Sequence, residues 1–149
     1  MNGFRFEGVD TAQPAPQVLE AIQNADAVVF CPSNPWVSID PVLAVKGLRP
    51  AIALKTVVAV SPIIGGQTVK GPAAKMFTEL GIQPSAMSVA RHYGDLLTGY
   101  VVDIIDADLA SDIMIPCNIT QTLMKNRDDR RHLAQDVLNF IQTLDSHEN

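Results

Sequence analysis

The sequence has 149 residues, the length of one ordinary domain or of half of a larger protein. It is 47% hydrophobic and 18% charged, with plentiful aliphatic residues and no long charge block, which excludes a disordered chain. The formal net charge of −5 disfavours a nucleic-acid or anionic-membrane binder, because either function needs a basic face. No apolar stretch approaches the roughly 20 residues of a membrane span, and the first residues lack a signal-peptide pattern. The prediction is a cytoplasmic protein.

The mean hydropathy of +0.14 is high for a chain of this size, whose surface must be largely polar. Either the aliphatic side chains fill a sheet covered on both faces, or some of them pack against a partner. The two cysteines, Cys31 and Cys117, are too few and too far apart for a disulfide framework. Both lie in apolar runs, which predicts small core residues.

The first part of the chain alternates strand and helix patterns. Residues 4–7 alternate apolar and polar side chains as a strand does. A helix is predicted from residue 16 to about residue 24, and residues 27–31 form a continuous apolar run typical of a strand buried on both faces. A second helix is predicted with Asp40 as its N-cap and Gly47 as its stop.

The rest of the chain continues this alternation. Predicted strands occupy residues 57–60, 100–105 and 113–117, and Pro116 favours a sheet edge for the last of them. Predicted helices run from Pro72 to Gly81, from the Ser85 cap to Gly94, for a short stretch after Asp108, and over about 127–144. Buried strands that alternate with helices predict an α/β architecture with a largely parallel sheet.

A loop after the second buried strand reads SPIIGGQTVKGPAAKM and combines three features of an anion-binding loop. Gly65 and Gly66 permit positive φ and a close approach of the backbone to a ligand. Lys70, followed by Gly71, supplies a positive charge, and Pro72 begins a helix whose first N–H groups favour an anion. The order of residues matches neither a Walker A loop nor a GxGxxG motif. The alternative interpretation is an ordinary strand-to-helix connection with a solvated lysine.

A second polar loop, CPSNPWVSIDP, follows the first buried strand. Ser33, Asn34 and Ser38 carry hydroxyl and amide groups on a segment that three prolines stiffen, which pre-organises hydrogen bonds to a ligand. The simpler alternative is that Asn34 begins a turn and Ser38 bonds locally. Trp36, the only tryptophan, is expected in the core or at an interface.

The remaining polar residues carry weaker signals. Zinc-ligand spacing is absent from the three histidines, His92, His132 and His147. Three carboxylates near the predicted strand 100–105 offer either a metal site or a helix start: Asp103, Asp106 and Asp108. We assign no metal ligand within the chain.

Four stretches resemble, in this order, the C-terminal half of the 2-phospho-L-lactate transferases, which act in making the deazaflavin coenzyme F-420. They are PSNPWVSIDPVLAVKGLR, VVAVSPIIGGQTVKGPAAKM, SVARHYGDLLTGYVVD and TQTLMKNRDDRRHLAQDVLNF. The resemblance covers essentially all of residues 1–149. It implies a Rossmann-like, mostly parallel sheet with helices on both faces, as part of a domain whose N-terminal half is absent.

The resemblance also implies a reaction. Enzymes of this family transfer a phospholactyl group, or in bacterial members the phosphoenolpyruvyl equivalent, from a guanosine diphosphate donor to the deazaflavin alcohol Fo and release GMP. The expected ion is Mg²⁺. The implied substrate-binding residues lie in the two loops: Ser33, Asn34, Ser38, Gly65, Gly66, Lys70, Gly71 and Pro72.

The ligands of the magnesium ion and any general base are expected in the missing half. The chain is therefore expected to be inactive by itself and to need that half, or a homo-oligomeric partner. Two other functions stay open at this point. One is a nucleotide or nucleotide-sugar binding regulator of the gluconeogenesis-factor type, which usually has a different tract at PSNPWVSIDP. The other is a non-catalytic scaffold that retains only a dimer surface.

Overall fold

The computed structural model describes residues 5–68, 76–77 and 79–146. Within these residues the centre of the fold is a parallel sheet of four strands in the order β1-β2-β5-β6. The strands are β1 (Ala27–Phe30), β2 (Thr56–Val60), β5 (Gly99–Asp103) and β6 (Cys117–Thr120). A short antiparallel ribbon of β3 (Ile63–Ile64) and β4 (Gln67–Thr68) follows β2. The predicted Rossmann-like α/β architecture is confirmed.

Helical segments connect the strands of the sheet. The α-helices are α1 (Val18–Asn24), α2 (Asp40–Leu43), α3 (Leu48–Ile52), α4 (Ala86–Tyr93) and α5 (Arg127–Asp145). A π-helical turn (Pro35–Ile39) precedes α2, and 3₁₀ turns occupy Gly94–Leu96 and Ile104–Asp112. Within the described part of the chain, none of these helices has the length and apolarity that crossing a bilayer requires.

The sheet packs on helices at both faces, because successive side chains of each strand point to opposite sides. One cluster joins alternate strand residues to the helices between the strands; it includes Phe30, Val57, Ala59, Tyr100 and Val102. On the other face α5 covers the intervening residues through a single stripe: Leu133, Val137, Ile141 and Leu144 pack with Val58, Val60 and Val101. The helix predicted over about 127–144 is confirmed.

Several predicted helix boundaries are confirmed by their caps. The Ser85 hydroxyl oxygen accepts a hydrogen bond from the Ser88 N–H at 3.0 Å, and α4 ends at Gly94 with φ +59. Gly81, with φ +68, follows the helical residues that include Met76 and Phe77. The predicted start of that helix at Pro72 lies outside the described residues.

Four strand predictions need correction. Residues 5–7 form no strand, because four alternating residues with no paired neighbour have no ladder to join. The strand predicted over 100–105 ends at Asp103, after which the chain turns into 3₁₀ geometry. The strand predicted over 113–117 instead runs from Cys117 to Thr120, and Met114 is 98% exposed. The prediction that the first strand is buried on both faces was also wrong, since Val29 is 37% exposed.

Three further predictions need correction. Asp40 lies inside a continuous helical stretch and does not cap it, because the π-helical turn begins five residues earlier and is capped by Asn34. Cys31 is exposed, so it is not a core residue; it follows β1 directly, at the end of the partly exposed edge of the sheet. Gly47 adopts φ +88, but it precedes α3, a helix that the sequence pattern does not predict.

Candidate functional site

The two loops singled out in the sequence leave the same edge of the sheet. β1 and β2 pair in parallel, with Phe30 opposite Ala59, so the segments that follow them emerge side by side at the carboxyl edge. In open α/β sheets this is the edge where ligands bind. The structure therefore brings the loop after Phe30 and the loop after Val60 together.

Asn34 shapes the first loop through its side chain. Its Oδ1 accepts hydrogen bonds from the N–H groups of Trp36, at 3.0 Å, and Val37, at 3.3 Å, which caps the π-helical turn. Its Nδ2 lies 3.3 Å from the sulfur of Met76, the last residue of the second loop. Ser33 is half-buried and Ser38 is exposed. The amide of Asn34 thus holds the two loops together, and the two serines flank it.

Trp36 is buried, which confirms the expectation of a core residue. Its ring makes edge-to-face contacts with two other rings. The centroid distance is 4.6 Å to the ring of Phe77 and 5.2 Å to the ring of His92. His92 in turn places Nε2 3.0 Å from both carboxylate oxygens of Asp40. Sequence reasoning missed this His–Asp pair, because the two residues are 52 positions apart and share no local pattern.

The Gly65–Gly66 pair forms the turn of the β3–β4 hairpin. Both residues have positive φ, +57 and +72, as the favoured two-residue hairpin turn requires. The Gly65 N–H donates a hydrogen bond of 3.0 Å to Oδ2 of the buried Asp106. Sequence reasoning proposed Asp106 for a metal site or a helix start and missed this contact. Three other predicted site residues, Lys70, Gly71 and Pro72, lie outside the described residues.

Asp103 ends β5 at the same edge and ties it to the chain after β6. Its Oδ1 accepts from the Ile105 N–H at 3.1 Å, and its Oδ2 accepts from the Thr122 N–H at 2.8 Å and the Thr122 hydroxyl at 2.9 Å. Burial opposes ionisation, but these hydrogen bonds outweigh it, so the pKa of Asp103 lies below its ordinary value. The group is a buried, fully engaged carboxylate.

The acidic residues of this edge do not fit a magnesium ion. Asp103 uses both oxygens for donors of the chain itself, and Asp106 holds the Gly65 amide. Within the described ranges, no group of three or more potential ligands comes together. Burial raises the pKa of Tyr100, in β5, well above its ordinary value.

These features define a Rossmann-like α/β domain with polar loops gathered at the carboxyl edge of a parallel sheet. The chain belongs to the 2-phospho-L-lactate transferase CofD family, whose model matches residues 2–143.

Individual relatives agree with the family match. The chain is 56% identical over 106 residues to a phosphoenolpyruvate transferase of Thermobifida fusca, covering 70% of this chain and 33% of that protein. It is 38% identical over 139 residues to a 2-phospho-L-lactate transferase of Methanocaldococcus jannaschii, covering 93% and 45%. It is 43% identical over 143 residues to a phosphoenolpyruvate transferase of Streptomyces griseus, covering 92% and 45%. The chain thus spans less than half the length of each of these relatives.

Proposed function

We propose that this chain forms one part of a transferase that moves a phospholactyl or enolpyruvyl-phosphate group from a guanosine diphosphate donor to the alcohol of Fo and releases GMP, in the cytoplasm. Membership of the family supports the reaction class. The observation that carries the assignment to this chain is the shared carboxyl edge of β1 and β2, from which both polar loops emerge. The reaction requires the diphosphate of the donor and the hydroxyl of the acceptor to be bound next to each other, and we propose that both bind at this carboxyl edge.

The proposed chemistry is mainly positioning. Transfer of a phosphorus group needs the charge of the diphosphate neutralised and the acceptor hydroxyl held in line with the leaving group. We assign the diphosphate to the Gly66 backbone, to Lys70 and to the helix predicted to begin at Pro72, and we assign the acceptor or the diphosphate to Ser33 and Ser38.

Two predicted site residues take structural roles in this proposal. Because its N–H is engaged by Asp106, Gly65 shapes the hairpin turn. Because its side-chain oxygen caps the π-helical turn, Asn34 fixes the path of the first loop. We place the ligands of the magnesium ion, whose chemistry is to neutralise phosphate charge, outside this chain, in the half of the domain that it lacks. The chain alone is therefore expected to bind substrates weakly and not to turn them over.

Ligand-dependent thermal stability tests the proposal. A ligand at a hundredfold excess over its Kd stabilises the folded chain by about 2.7 kcal/mol, which a melting curve detects. Stabilisation by Fo supports the transferase. Stabilisation by a sugar nucleotide alone supports a regulator of the gluconeogenesis-factor type, and the absence of any shift supports a scaffold. Turnover of donor and Fo by the purified chain contradicts the proposal that its site is incomplete.

Substitution of Lys70 tests the anion site directly. Lys70→Ala is expected to weaken the affinity for GDP, measured by calorimetry, with little change in the unfolding midpoint. Lys46→Ala is the matched control, because Lys46 is exposed in the turn between α2 and α3. Equal affinities in the two variants remove Lys70 from the site.

A further inference from the structure

The phenol of Tyr100 is an unusual polar group in the core. The side chain is 0% exposed in β5, and its hydroxyl has no hydrogen-bond partner among the described residues. Buried polar groups are nearly always hydrogen-bonded, because an unsatisfied group loses its contact with water and gains nothing in return. A phenylalanine would fill the same space without this cost. The hydroxyl therefore needs an explanation other than packing.

The polar side chains around the Tyr100 hydroxyl belong to the carboxyl edge of the sheet. Tyr100 pairs with Ala59, and Ser61, two residues further along, lies on the same face of the sheet. Burial raises the pKa of the phenol, and the negative charge of Asp106 adds to this rise, so the two groups interact electrostatically. The nearby Ser61 hydroxyl opposes the rise, but it donates to the Ile63 carbonyl oxygen at 2.9 Å and accepts from the Ile63 N–H at 3.2 Å. Ser61 is thus committed to its own loop, and Asp106 is left as the acceptor for the phenol.

Asp106 is a buried acceptor with capacity for a second donor. Its Oδ2 accepts from the Gly65 N–H at 3.0 Å, and this is the one hydrogen bond that its side chain makes with the described residues. Asp103, the other buried carboxylate of this edge, accepts three. A carboxylate has about four lone-pair sites, so Asp106 can exchange one donor for another.

The Gly65–Gly66 turn can change the direction of the donor that Asp106 holds. Both residues have positive φ, and glycine adopts positive and negative φ about equally well, so the peptide plane that carries the Gly65 N–H can rotate. Packing also restricts this position to glycine, since a Cβ on Gly65 would lie 3.3 Å from Cγ2 of Ile105. The same N–H can therefore face Asp106 or a ligand at the turn.

We propose that Tyr100 is a positioning residue of the anion site and acts through Asp106. In the structure Asp106 holds the Gly65 N–H. When the diphosphate binds, this N–H turns to a phosphate oxygen beside Gly66, and the Tyr100 O–H replaces it as the donor to Asp106. The buried carboxylate keeps a donor throughout, and the turn gains a second N–H for the anion. This inference rests on the proposed function, because it takes the diphosphate of that reaction as the ligand.

Tyr100→Phe tests the exchange, because it removes the hydroxyl and keeps the ring. The probes are GDP and inorganic diphosphate, and their affinities for the purified chain are measured by calorimetry. We expect a loss of affinity of about tenfold for both, since the variant lacks a hydrogen bond to a charged group that forms only on binding. The urea midpoint is expected to stay the same or to rise, because the hydroxyl is unpaired before binding. Tyr93→Phe is the matched control and should leave both affinities unchanged, because Tyr93 is also buried but its phenol interacts with Asp40.

A double-mutant cycle separates positioning from a structural role. Without the carboxylate the phenol has no acceptor, so Tyr100→Phe should no longer change the affinity in the Asp106→Ala background. Asp106→Asn retains an acceptor oxygen, so the effect of Tyr100→Phe should persist in that background. A second measurement needs no substitution: the ¹³Cζ NMR signal of Tyr100 should shift when inorganic diphosphate is added to the parent chain, because the phenol gains a partner.

Three results would each overturn the inference. They are an unchanged affinity of Tyr100→Phe, an equal loss of affinity in the Asp106→Ala background, and a Tyr100 ¹³Cζ signal that does not move when the anion binds. A lower urea midpoint of Tyr100→Phe with no change in affinity would also overturn it, because the hydroxyl would then have a structural partner. If the exchange is observed but Fo does not bind, the proposed function alone is contradicted. If neither GDP nor inorganic diphosphate binds, both are contradicted.

Discussion

The hydrogen bonds of Asp103 predict a large effect of a small substitution. Asp103→Asn preserves shape but replaces one acceptor oxygen with an NH₂ group. Oδ1 accepts from the Ile105 N–H, and Oδ2 accepts from both donors of Thr122, so neither position tolerates a donor. The better placement keeps the amide oxygen towards Thr122 and loses the bond from Ile105. A hydrogen bond to a charged group contributes about 1.5–3 kcal/mol, so the free energy of unfolding should fall by at least that amount.

Urea unfolding at pH 7 measures this change. Asp112→Asn is the matched control, because Asp112 is exposed, and surface substitutions of this kind stay within about 0.5 kcal/mol. An Asp103→Asn midpoint equal to that of the control, with an unchanged m-value, would refute the claim that the carboxylate holds the end of β5 to Thr122.

The contribution of the negative charge of Asp103 is tested by measuring the unfolding of the parent chain and of Asp103→Asn as a function of pH. The pKa of Asp103 in the folded chain lies below the value of about 3.9 for an unfolded aspartate. The carboxylate therefore adds stability above about pH 4, and this stability is lost as the pH falls through the folded pKa. The difference in unfolding free energy between the parent chain and Asp103→Asn should accordingly narrow on acidification. A difference that is constant with pH would assign the effect to packing.

Three further substitutions test other parts of the fold. Gly66→Val should lower the melting temperature, since a branched side chain at φ +72 costs about 1–3 kcal/mol, and it should also reduce any GDP-induced shift. Gly99→Ala should lower the free energy of unfolding in urea by about 1–3 kcal/mol, because the new Cβ would lie 2.7 and 2.8 Å from side-chain carbons of α5. An unchanged midpoint would show that α5 shifts to make room for the Cβ without loss of stability. His92→Ala should cost about 1 kcal/mol by removing the hydrogen bonds to Asp40, whereas His132→Ala on the exposed side of α5 should cost nothing measurable.

Elements with strong local signals could be predicted from the sequence. The strands at 57–60 and 100–105 are continuous apolar runs and form the buried centre of the sheet, to within two residues at each end. The closing helix has a regular apolar stripe and a capping box at Asn126 and Asp129, and the structure places it over Arg127–Asp145. These elements carry their whole signal in neighbouring residues, so local reasoning suffices.

Elements whose identity depends on distant partners could not be predicted. Ile113 to Ile115 looks like a strand because it is apolar, yet the register with β5 pairs Tyr100 with Cys117 and places the last strand after it. That edge strand is only half covered, so it lacks the hydrophobic run that marks a buried strand. Each strand of the β3–β4 ribbon is only two residues long, which is too short to show the alternation of apolar and polar side chains that predicts a strand.

The same distinction holds for the candidate site. The sequence predicts the polar loops after β1 and β2, and the parallel pairing of those strands brings them together. It does not reveal that Asp106 holds the Gly65 turn or that Asn34 reaches Met76, since these contacts join residues more than 40 positions apart. The assignment of the predicted residues to substrate binding stays a prediction for all of them: Ser33, Asn34, Ser38, Gly65, Gly66, Lys70, Gly71 and Pro72.

The charge of the carboxyl edge argues that a second source of positive charge is needed for transfer. The chain carries a net charge of −5, and the edge itself contains the buried carboxylates of Asp103 and Asp106. The Asp106 carboxylate accepts a hydrogen bond from Gly65 in the second polar loop, and the Asp103 carboxylate accepts from Thr122, in the segment that follows β6. A diphosphate brought to this edge meets negative potential unless cations accompany it. In the proposed function Lys70 supplies one such charge, and the remaining charge comes from the magnesium ion, whose ligands are proposed to lie outside this chain. The chain is therefore proposed to bind substrates weakly and not to turn them over by itself.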